Sequence, residues 1–469
     1  MSAPPDPRRW RILYVTLAVG FMTLLDVTIV NVALPSIQVG LDASPASIQW
    51  VVSGYALTFG LTLVTGGRLG DALGRRRMML IGLGGFILGS LAVGLAPTAE
   101  VAVIARLLQG AAAGLLTPQN SGLIQELFSG AERGRAFGAF GFTVGVSSAI
   151  GPILGGLIIA AFGAEQGWRY IFLVNVPIGL VALVFIARLV PGRRKELQGQ
   201  RLDLDIGGAV LLGLTVMAIL YPLVAAVSGT DWWFVLFLLV PPLAWWFVRH
   251  ERRVVATGGA PLLDVALLRG TRGYANGLAI GTIYFTGFTG IFLVISVALQ
   301  QQFDLTPLQA GLLVTPFAAG SALAAPVAGR LVARIGRKVT LGALVVMLSG
   351  TVLLIAMVPD GSSGRWALFS GALLIAGLGG GAVISPNFTL TLEHVPTRMA
   401  GAAGGALQTG QRIGTAIGTA LLMSVYQNAL ERGVSAQVSM RLALTLAVAL
   451  LSVALVLALR DLRRSSVES

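Results

Sequence analysis

Apolar runs of about 20 residues recur along this chain, near 12–35, 48–66, 78–96, 99–121, 136–162, 170–190, 206–227, 232–248, 274–299, 308–328, 339–358, 366–386, 401–426 and 440–459. At roughly 1.5 Å per helical residue, each matches the roughly 30 Å hydrocarbon core of a bilayer. Lipid offers no water to backbone N–H and C=O groups, so each run must satisfy its own by coiling into a helix. The expectation is an all-α polytopic membrane protein with about fourteen transmembrane (TM) spans. Composition agrees: the 469 residues are 55% hydrophobic and 11% charged, against roughly 25% charged in a soluble domain. The first run is too long for the apolar core of a signal peptide and is expected to stay as a span.

The formal charge of +13 would suggest a nucleic-acid partner in a soluble protein. Position argues otherwise. Basic clusters such as Arg8/Arg9/Arg11, Arg75/Arg76/Arg77, Arg193/Arg194/Lys195, Arg249/Arg252/Arg253 and Arg334/Arg337/Lys338 fill every second gap between runs, and the alternate gaps carry Asp42, Glu100, Glu165, Asp231, Asp304, Asp360 and Glu431. That alternation is the positive-inside pattern, so the charge reports topology and no nucleic acid is expected. An even span count with basic ends puts both termini in the cytoplasm, in a multi-pass protein of the plasma (inner) membrane.

Several chemistries drop out. There is no cysteine, and the only histidines, His250 and His394, sit in no metal-ligand spacing, so neither a metal centre nor thiol chemistry is expected. No nucleophile–base pair is visible, and the chain is not read as an enzyme. The stretch GLGGGA at 377–382 lies inside an apolar run without a preceding strand, which removes it as a dinucleotide site and leaves no cofactor expected. No G-x-x-x-x-G-K-[ST] loop occurs, so an ion gradient has to supply any driving energy.

The chain repeats internally. GRLGDALGRRR at 67–77 lies over GRLVARIGRKV at 329–339, with Gly67, Arg68, Leu69, Gly74 and Arg75 matched by Gly329, Arg330, Leu331, Gly336 and Arg337. A second overlay pairs Gly134 with Gly401, Gly138 with Gly405 and Gly151 with Gly418. Related halves of six runs each, with two extra runs between them, give residues 1–192 as an N-terminal six-helix bundle, 193–271 as linkers around an inserted hairpin, and 272–469 as a C-terminal six-helix bundle.

GRLGDALGRRRMML (67–80), LDVTIVNVALP (25–35), QWVVSGYALT (49–58), RLLQGAAAGLLTP (106–118), GPILGG (151–156) and WRYIFLVNVPIG (168–179) together resemble the major facilitator superfamily, and within it the fourteen-span drug:proton antiporters. Ala72 stands where that family's loop motif has arginine, and Ser147 where its antiporter segment has glycine. The resemblance implies the major facilitator fold and alternating-access export of hydrophobic, amphipathic or cationic drugs in exchange for protons, by a monomer. It implies a cytoplasmic gate at Gly67, Asp71, Gly74, Arg75 and Arg76, and an antiporter motif at Gly151, Pro152, Gly155 and Gly156. A nutrient importer or facilitator of the same fold is the alternative. Ala333 replaces the gate aspartate in the second copy, so the latch is expected to be weaker or absent there.

Asp26 poses the sharpest physical question, because a charge at the depth of a span costs roughly 2.5–3.5 kcal/mol on insertion scales. Arg106 lies at a similar depth, roughly 10 Å in at 1.5 Å per residue, and invites pairing. Two readings stay open: a static buried ion pair, or a coupling site at which Asp26 takes a proton or a cationic substrate beside Arg106. Arg412, flanked by Gln408 and Gln411, is the other deep charge. Asn31, Tyr55, Gln109, Asn387, Gln408 and Arg412 are the candidate cavity residues, and residues such as the first four more often serve as helix–helix hydrogen bonders.

Overall fold

The computed structural model describes residues 7–163, 165–192, 205–227, 231–259, 261–303, 305, 307–358 and 363–467. Among them the regular structure is helical. In chain order the helices are α1 (Arg9–Gly40), α2 (Pro45–Leu73), α3 (Arg75–Gly94), α4 (Ala99–Leu116), α5 (Pro118–Leu127), α6 (Gly130–Phe162), α7 (Gly167–Leu173) and α8 (Asn175–Leu189). They continue with α9 (Ile206–Val227), α10 (Val240–Ala256), α11 (Ala266–Gly270), α12 (Tyr274–Gln301), α13 (Pro307–Ile335), α14 (Lys338–Ala356), α15 (Ser363–Thr391), α16 (Ala400–Glu431) and α17 (Ala436–Val467).

Local sequence sets many of the boundaries. Ser44 caps α2 by accepting the Ser47 N–H at 3.2 Å, with Pro45 in the first position, where a missing N–H is harmless. Pro118 cannot donate to the carbonyl four residues back, so the fourth span breaks into α4 and α5. Pro177 has the same effect on the sixth, which divides at Val174 into α7 and α8. Gly74 turns the chain between α2 and α3 at φ 97°, and its repeat partner Gly336 turns α13 into α14 at φ 55°. Both lie in a region that disfavours side chains.

Thirteen of the described helical stretches are long and apolar enough to cross a membrane. The run at 401–426 falls on α16, which is 32 residues long but diluted by Gln408, Gln411 and Arg412, so it does not join them on composition. The run at 232–248 also differs in form. Its first part, Asp231–Leu239, is a 3₁₀ helix, and the α-helix begins only at Val240. Pro241 and Pro242 supply no N–H to carbonyls of the preceding turn, so α-type pairing cannot extend back through them.

Surface and core follow the membrane rule. Large apolar side chains such as Leu88, Leu108, Leu180, Leu323 and Leu353 are exposed, which suits a hydrocarbon solvent. Two compact units appear. One comprises residues 1–129, 154–272 and 395–409, and the other 130–153, 273–394 and 410–469.

In the first unit two apolar layers stack along α1–α4 and α7–α8: Met22, Phe59, Leu83, Phe86 and Leu116 in one, Ile29, Val51, Val93, Ala105 and Trp168 in the other. The hairpin belongs to this unit, and α9 runs antiparallel to α2. Tyr221 meets Trp50 at 5.8 Å between ring centroids, Gly213 faces Leu61, and Ile206 shares a cavity with Arg68 and Leu69.

Glycine contacts explain why each unit takes a segment from the other sequence half. In the second unit Gly134, Gly138, Gly141 and Gly145 of α6 pack on Gly329, Pro326, Ala325 and Ala322 of α13. In the first, Gly401 and Gly405 of α16 pack on Gly67 and Leu63 of α2. The partners are the repeat equivalents of one another. Backbone-to-backbone approach needs small residues.

Close approach is testable on α15. A methyl on Gly379 would lie 2.6 Å from Met347 Cα and 2.7 Å from Ala343 O, whereas one on Gly371 would meet nothing within 4 Å. Gly379→Ala is expected to destabilise by about 1–3 kcal/mol. Gly371→Ala is expected to be neutral or to stabilise by up to about 1 kcal/mol. Thermal unfolding in detergent checks the order of the two variants.

Candidate functional site

Asp26 of α1 and Arg106 of α4 meet. Arg106 Nη1 donates to Asp26 Oδ2 at 2.6 Å, and both residues are 1% exposed. Three further helices complete the arrangement. Gln109 Nε2 of α4 and Asn175 Nδ2 of α8 donate to Asp26 Oδ1 at 3.2 and 3.1 Å, and both also reach Ser90 Oγ of α3, at 2.7 and 3.4 Å. Arg106 Nη1 also donates to Gln109 Oε1 at 2.8 Å, and its Nε to the Val51 carbonyl of α2 at 2.9 Å. The guanidinium lies 4.1 Å from the centroid of the Tyr55 ring and 5.5 Å from that of Phe172. The cluster therefore forms a polar belt between the two apolar layers of its unit.

Burial makes the pairing obligatory. A lone carboxylate or guanidinium in a low-dielectric interior costs several kcal/mol, and only a charge partner with well-placed hydrogen bonds offsets that. Asp26 accepts three donors, while Arg106 has three acceptors and two ring faces. Arg106 thus keeps Gln109 Oε1, the Val51 carbonyl and the Tyr55 ring whatever the charge on Asp26.

Tyr55 and Gln109 belong to this belt rather than to an open wall, at 2% and 0% exposure. Asn387 Nδ2 donates to the Gly277 carbonyl at 3.1 Å and so bonds α15 to α12. Gln408 is buried and Arg412 half-buried on α16. The side chains of Asn31 and Pro152 lie outside the described residues. Gly151 and Gly155 of α6 are buried and Gly156 half-buried. A methyl on Gly156 would meet nothing within 4 Å, so close packing is not what calls for glycine there.

The loop motif forms a second cluster in the same unit. The Asp71 side chain is fully buried and takes Arg75 Nη2 at 2.7 Å. It also accepts the N–H of Gly401 at 3.0 Å and of Ala402 at 2.9 Å. Those two donors sit in the first turn of α16, where a helix has no internal acceptor for them and where its dipole favours negative charge. Arg75 Nε reaches Glu126 Oε2 of α5 at 3.2 Å. Gly67 lies against the Gly401 backbone, and Arg76 is half-buried beyond the Gly74 turn.

In the second copy Ala333 is exposed, but the matching arginine is still held. Arg337 Nε pairs with Asp461 Oδ2 of α17 at 2.6 Å, and Asn276 Nδ2 of α12 donates to Asp461 Oδ1 at 2.7 Å. A carboxylate from a distant helix stands in for the lost one, so this copy is tied down by a different route.

Sequence reasoning missed Asn175, Ser90, Glu126 and Asp461. Asn175 left a signal, as the polar residue of the apolar stretch IFLVNVPIG. Ser90 left none, because a single hydroxyl is common in a span.

The sequence profile of the Major Facilitator Superfamily matches residues 16–203 and 206–419. The chain is 37% identical over 418 residues to a probable actinorhodin transporter of Streptomyces coelicolor, covering 87% of this chain and 71% of that one. It is 36% identical over 414 residues to puromycin resistance protein pur8 of Streptomyces alboniger, covering 87% of this chain and 80% of that one. In three dimensions it resembles the crystal structure of the human organic anion transporter MFSD10 (TETRAN). The TM-score is 0.72 at 16% identity, over 97% of this chain and 100% of that one, a likeness of fold.

Arg106→Ala leaves the Asp26 carboxylate buried without a cation and is expected to cost about 3–5 kcal/mol. Asn175→Ala removes one donor of three and is expected to cost about 1–3 kcal/mol. Combining Arg106→Ala with Asp26→Asn should recover part of the loss. Apparent Tm values of the purified variants check this; a smaller loss for Arg106→Ala than for Asn175→Ala would contradict it.

Proposed function

Because the chain belongs to the Major Facilitator Superfamily, we propose that this transporter exports antibiotic-like amphipathic or cationic molecules from the cell in exchange for protons, with Asp26 as the coupling carboxylate. One observation carries the reading: Asp26 is buried against Arg106 in a belt that gives the arginine other acceptors. A proton on Asp26 removes its charge, and Arg106 then rests on Gln109 Oε1, the Val51 carbonyl and the Tyr55 ring. A purely structural pair needs no such reserve. The names of the two Streptomyces relatives, an actinorhodin transporter and a puromycin resistance protein, favour antibiotics as cargo. Exchange of one proton for a neutral molecule draws on about 2.3 kcal/mol per 100 mV together with the pH gradient, whereas exchange for a monovalent cation is electroneutral and draws on the pH gradient alone.

Transport runs by alternating access of the two six-helix bundles at 1–192 and 272–469, the hairpin lying between them in sequence, in a monomer with cytoplasmic termini. The Asp71–Arg75 cluster serves as the cytoplasmic latch. Its carboxylate holds the first N–H groups of α16, a bond that breaks when α2 and α16 part. Gly151, Pro152, Gly155 and Gly156 act in the antiporter segment, Asn31 and Arg412 contact cargo, and the buried Asn387 and Gln408 reach it only when the helices around them part.

Transport in inverted membrane vesicles tests the coupling. With an imposed pH gradient, the wild type is expected to accumulate a cationic dye and release protons in step with it. Asp26→Asn is expected to lose accumulation while still exchanging dye down its own gradient. Undiminished uphill accumulation in Asp26→Asn contradicts the assignment, and dye movement without proton flux in the wild type points to a facilitator.

A further inference from the structure

The ends of the inserted hairpin meet at an acidic cluster that the coupling network does not use. Asp205, just before α9, accepts the Gly208 N–H on Oδ1 at 2.7 Å and bonds His250 Nε2 through the same oxygen at 2.7 Å. Glu251 of α10 is 1% exposed, and its Oε2 accepts the Leu263 N–H at 3.3 Å. The remaining oxygens, Asp205 Oδ2 and Glu251 Oε1, are buried with no donor among the described residues. The two carboxyl groups lie within hydrogen-bond reach of each other. A Cβ on Gly208 would collide with both oxygens, so glycine at that position is what lets them meet.

Two buried acceptors turned on each other are not a stable pair when both are ionised, since neither lone pair is satisfied and the charges repel. One proton makes them donor and acceptor. We propose that Glu251 and Asp205 form a second proton-binding site, one proton shared between two carboxyl groups, which fastens the start of α9 to the end of α10.

The proton resides on Glu251. Burial pushes the Asp205 carboxyl up, but the Gly208 N–H and His250 outweigh it and hold Asp205 below its usual range. Among the described residues Glu251 has, besides its facing carboxyl, the longer bond from Leu263, and it stands near the charges of both Asp205 and Asp264. Among the described residues, the other titratable groups at the pair are His250, 34% exposed at its side chain, and Asp264. From α2, Arg68 lines with Asp205 a cavity of about 300 Å³, together with Thr65, Leu69, Ile206, Val210 and Leu262.

Raising the pH strips the shared proton and leaves two like charges side by side, so the fastening is strongest at low pH and weakens as pH rises. α2 also carries Asp71, three residues beyond Arg68. The hairpin's proton therefore adjoins the helix whose carboxylate holds α16.

The test uses the purified full-length protein in lipid nanodiscs without substrate, so it does not depend on the direction or coupling of transport. Infrared spectroscopy reads the carbonyl stretch of a protonated carboxylic acid, and hydrogen exchange, corrected for the intrinsic amide rate at each pH, reads the protection of the amides at the start of α9. At neutral pH the wild type is expected to show the band, to lose it on alkaline titration, and to exchange faster at α9 as it goes. Glu251→Gln is expected to lose that band and the pH dependence of exchange, since its amide donates to Asp205 at every pH. Asp26→Asn should retain the Glu251 band. Asp205→Asn, which removes the facing charge, should also abolish the pH-dependent exchange and serves if Glu251→Gln is poorly produced. A band unchanged in Glu251→Gln, exchange in that variant that still follows pH, or a band that vanishes on adding sodium or magnesium ions at constant pH would each overturn the proposal.

Discussion

A carboxylate and a guanidinium buried together in a membrane-spanning unit oblige the surrounding helices to bring their polar groups to one point. Asp26 and Arg106 are each 1% exposed, and an ionised Asp26 is not stable there without its cation. Their needs fix the rotation of five helices. α1 and α4 supply the charges, α3 and α8 turn Ser90 and Asn175 toward them, and α2 offers the Val51 carbonyl and the Tyr55 ring. The apolar layers on either side then pack against the belt. A helix turned by one residue about its axis would leave a donor or a charge unpaired in hydrocarbon. The belt specifies the unit as well as stabilising it.

Close approach of backbones is the second organising constraint. Where water is absent, helices gain little from apolar contact alone and rely on packing and on hydrogen bonds. Gly67 against Gly401, and Gly134 against Gly329, are repeat-related contacts that place α16 on α2 and α6 on α13. The first brings the α16 N-terminus to Asp71, so a packing contact also creates an anion site. In the second copy the aspartate is gone, and Asp461 of α17 holds the arginine instead. The repeat preserves the arginine and the glycine turn while the carboxylate moves to another element.

How much of this was legible in the sequence follows from what each feature depends on. The helical class follows from run length, because a bilayer permits few alternatives. Asp26 and Arg106 stood out because charges in long apolar runs are rare, and their similar depth is a count along each helix. Asn175, Ser90 and the partners of Gln109 depend on helix rotation, which hydropathy does not encode when a span is apolar on most sides. Asp461 and Glu126 lie far along the chain from the arginines they hold, so nothing local marks them. The 3₁₀ start of the eighth span was encoded in Pro241 and Pro242, but a hydropathy run does not distinguish 3₁₀ from α. Nothing local marks Asp205 and Glu251, since their burial arises only where the hairpin's ends meet beside α2.

The central claim is that Asp26 changes its protonation when cargo binds, and proton release on binding measures it directly. Purified protein in weakly buffered detergent, mixed with a cationic dye substrate, would be followed with a pH indicator. Over a series of falling pH the account predicts that dye binding comes to release protons, up to about one per dye, from the wild type and none from an Asp26→Asn variant that still binds the dye. Equal release from both proteins would contradict it and leave Asp26–Arg106 as a structural pair.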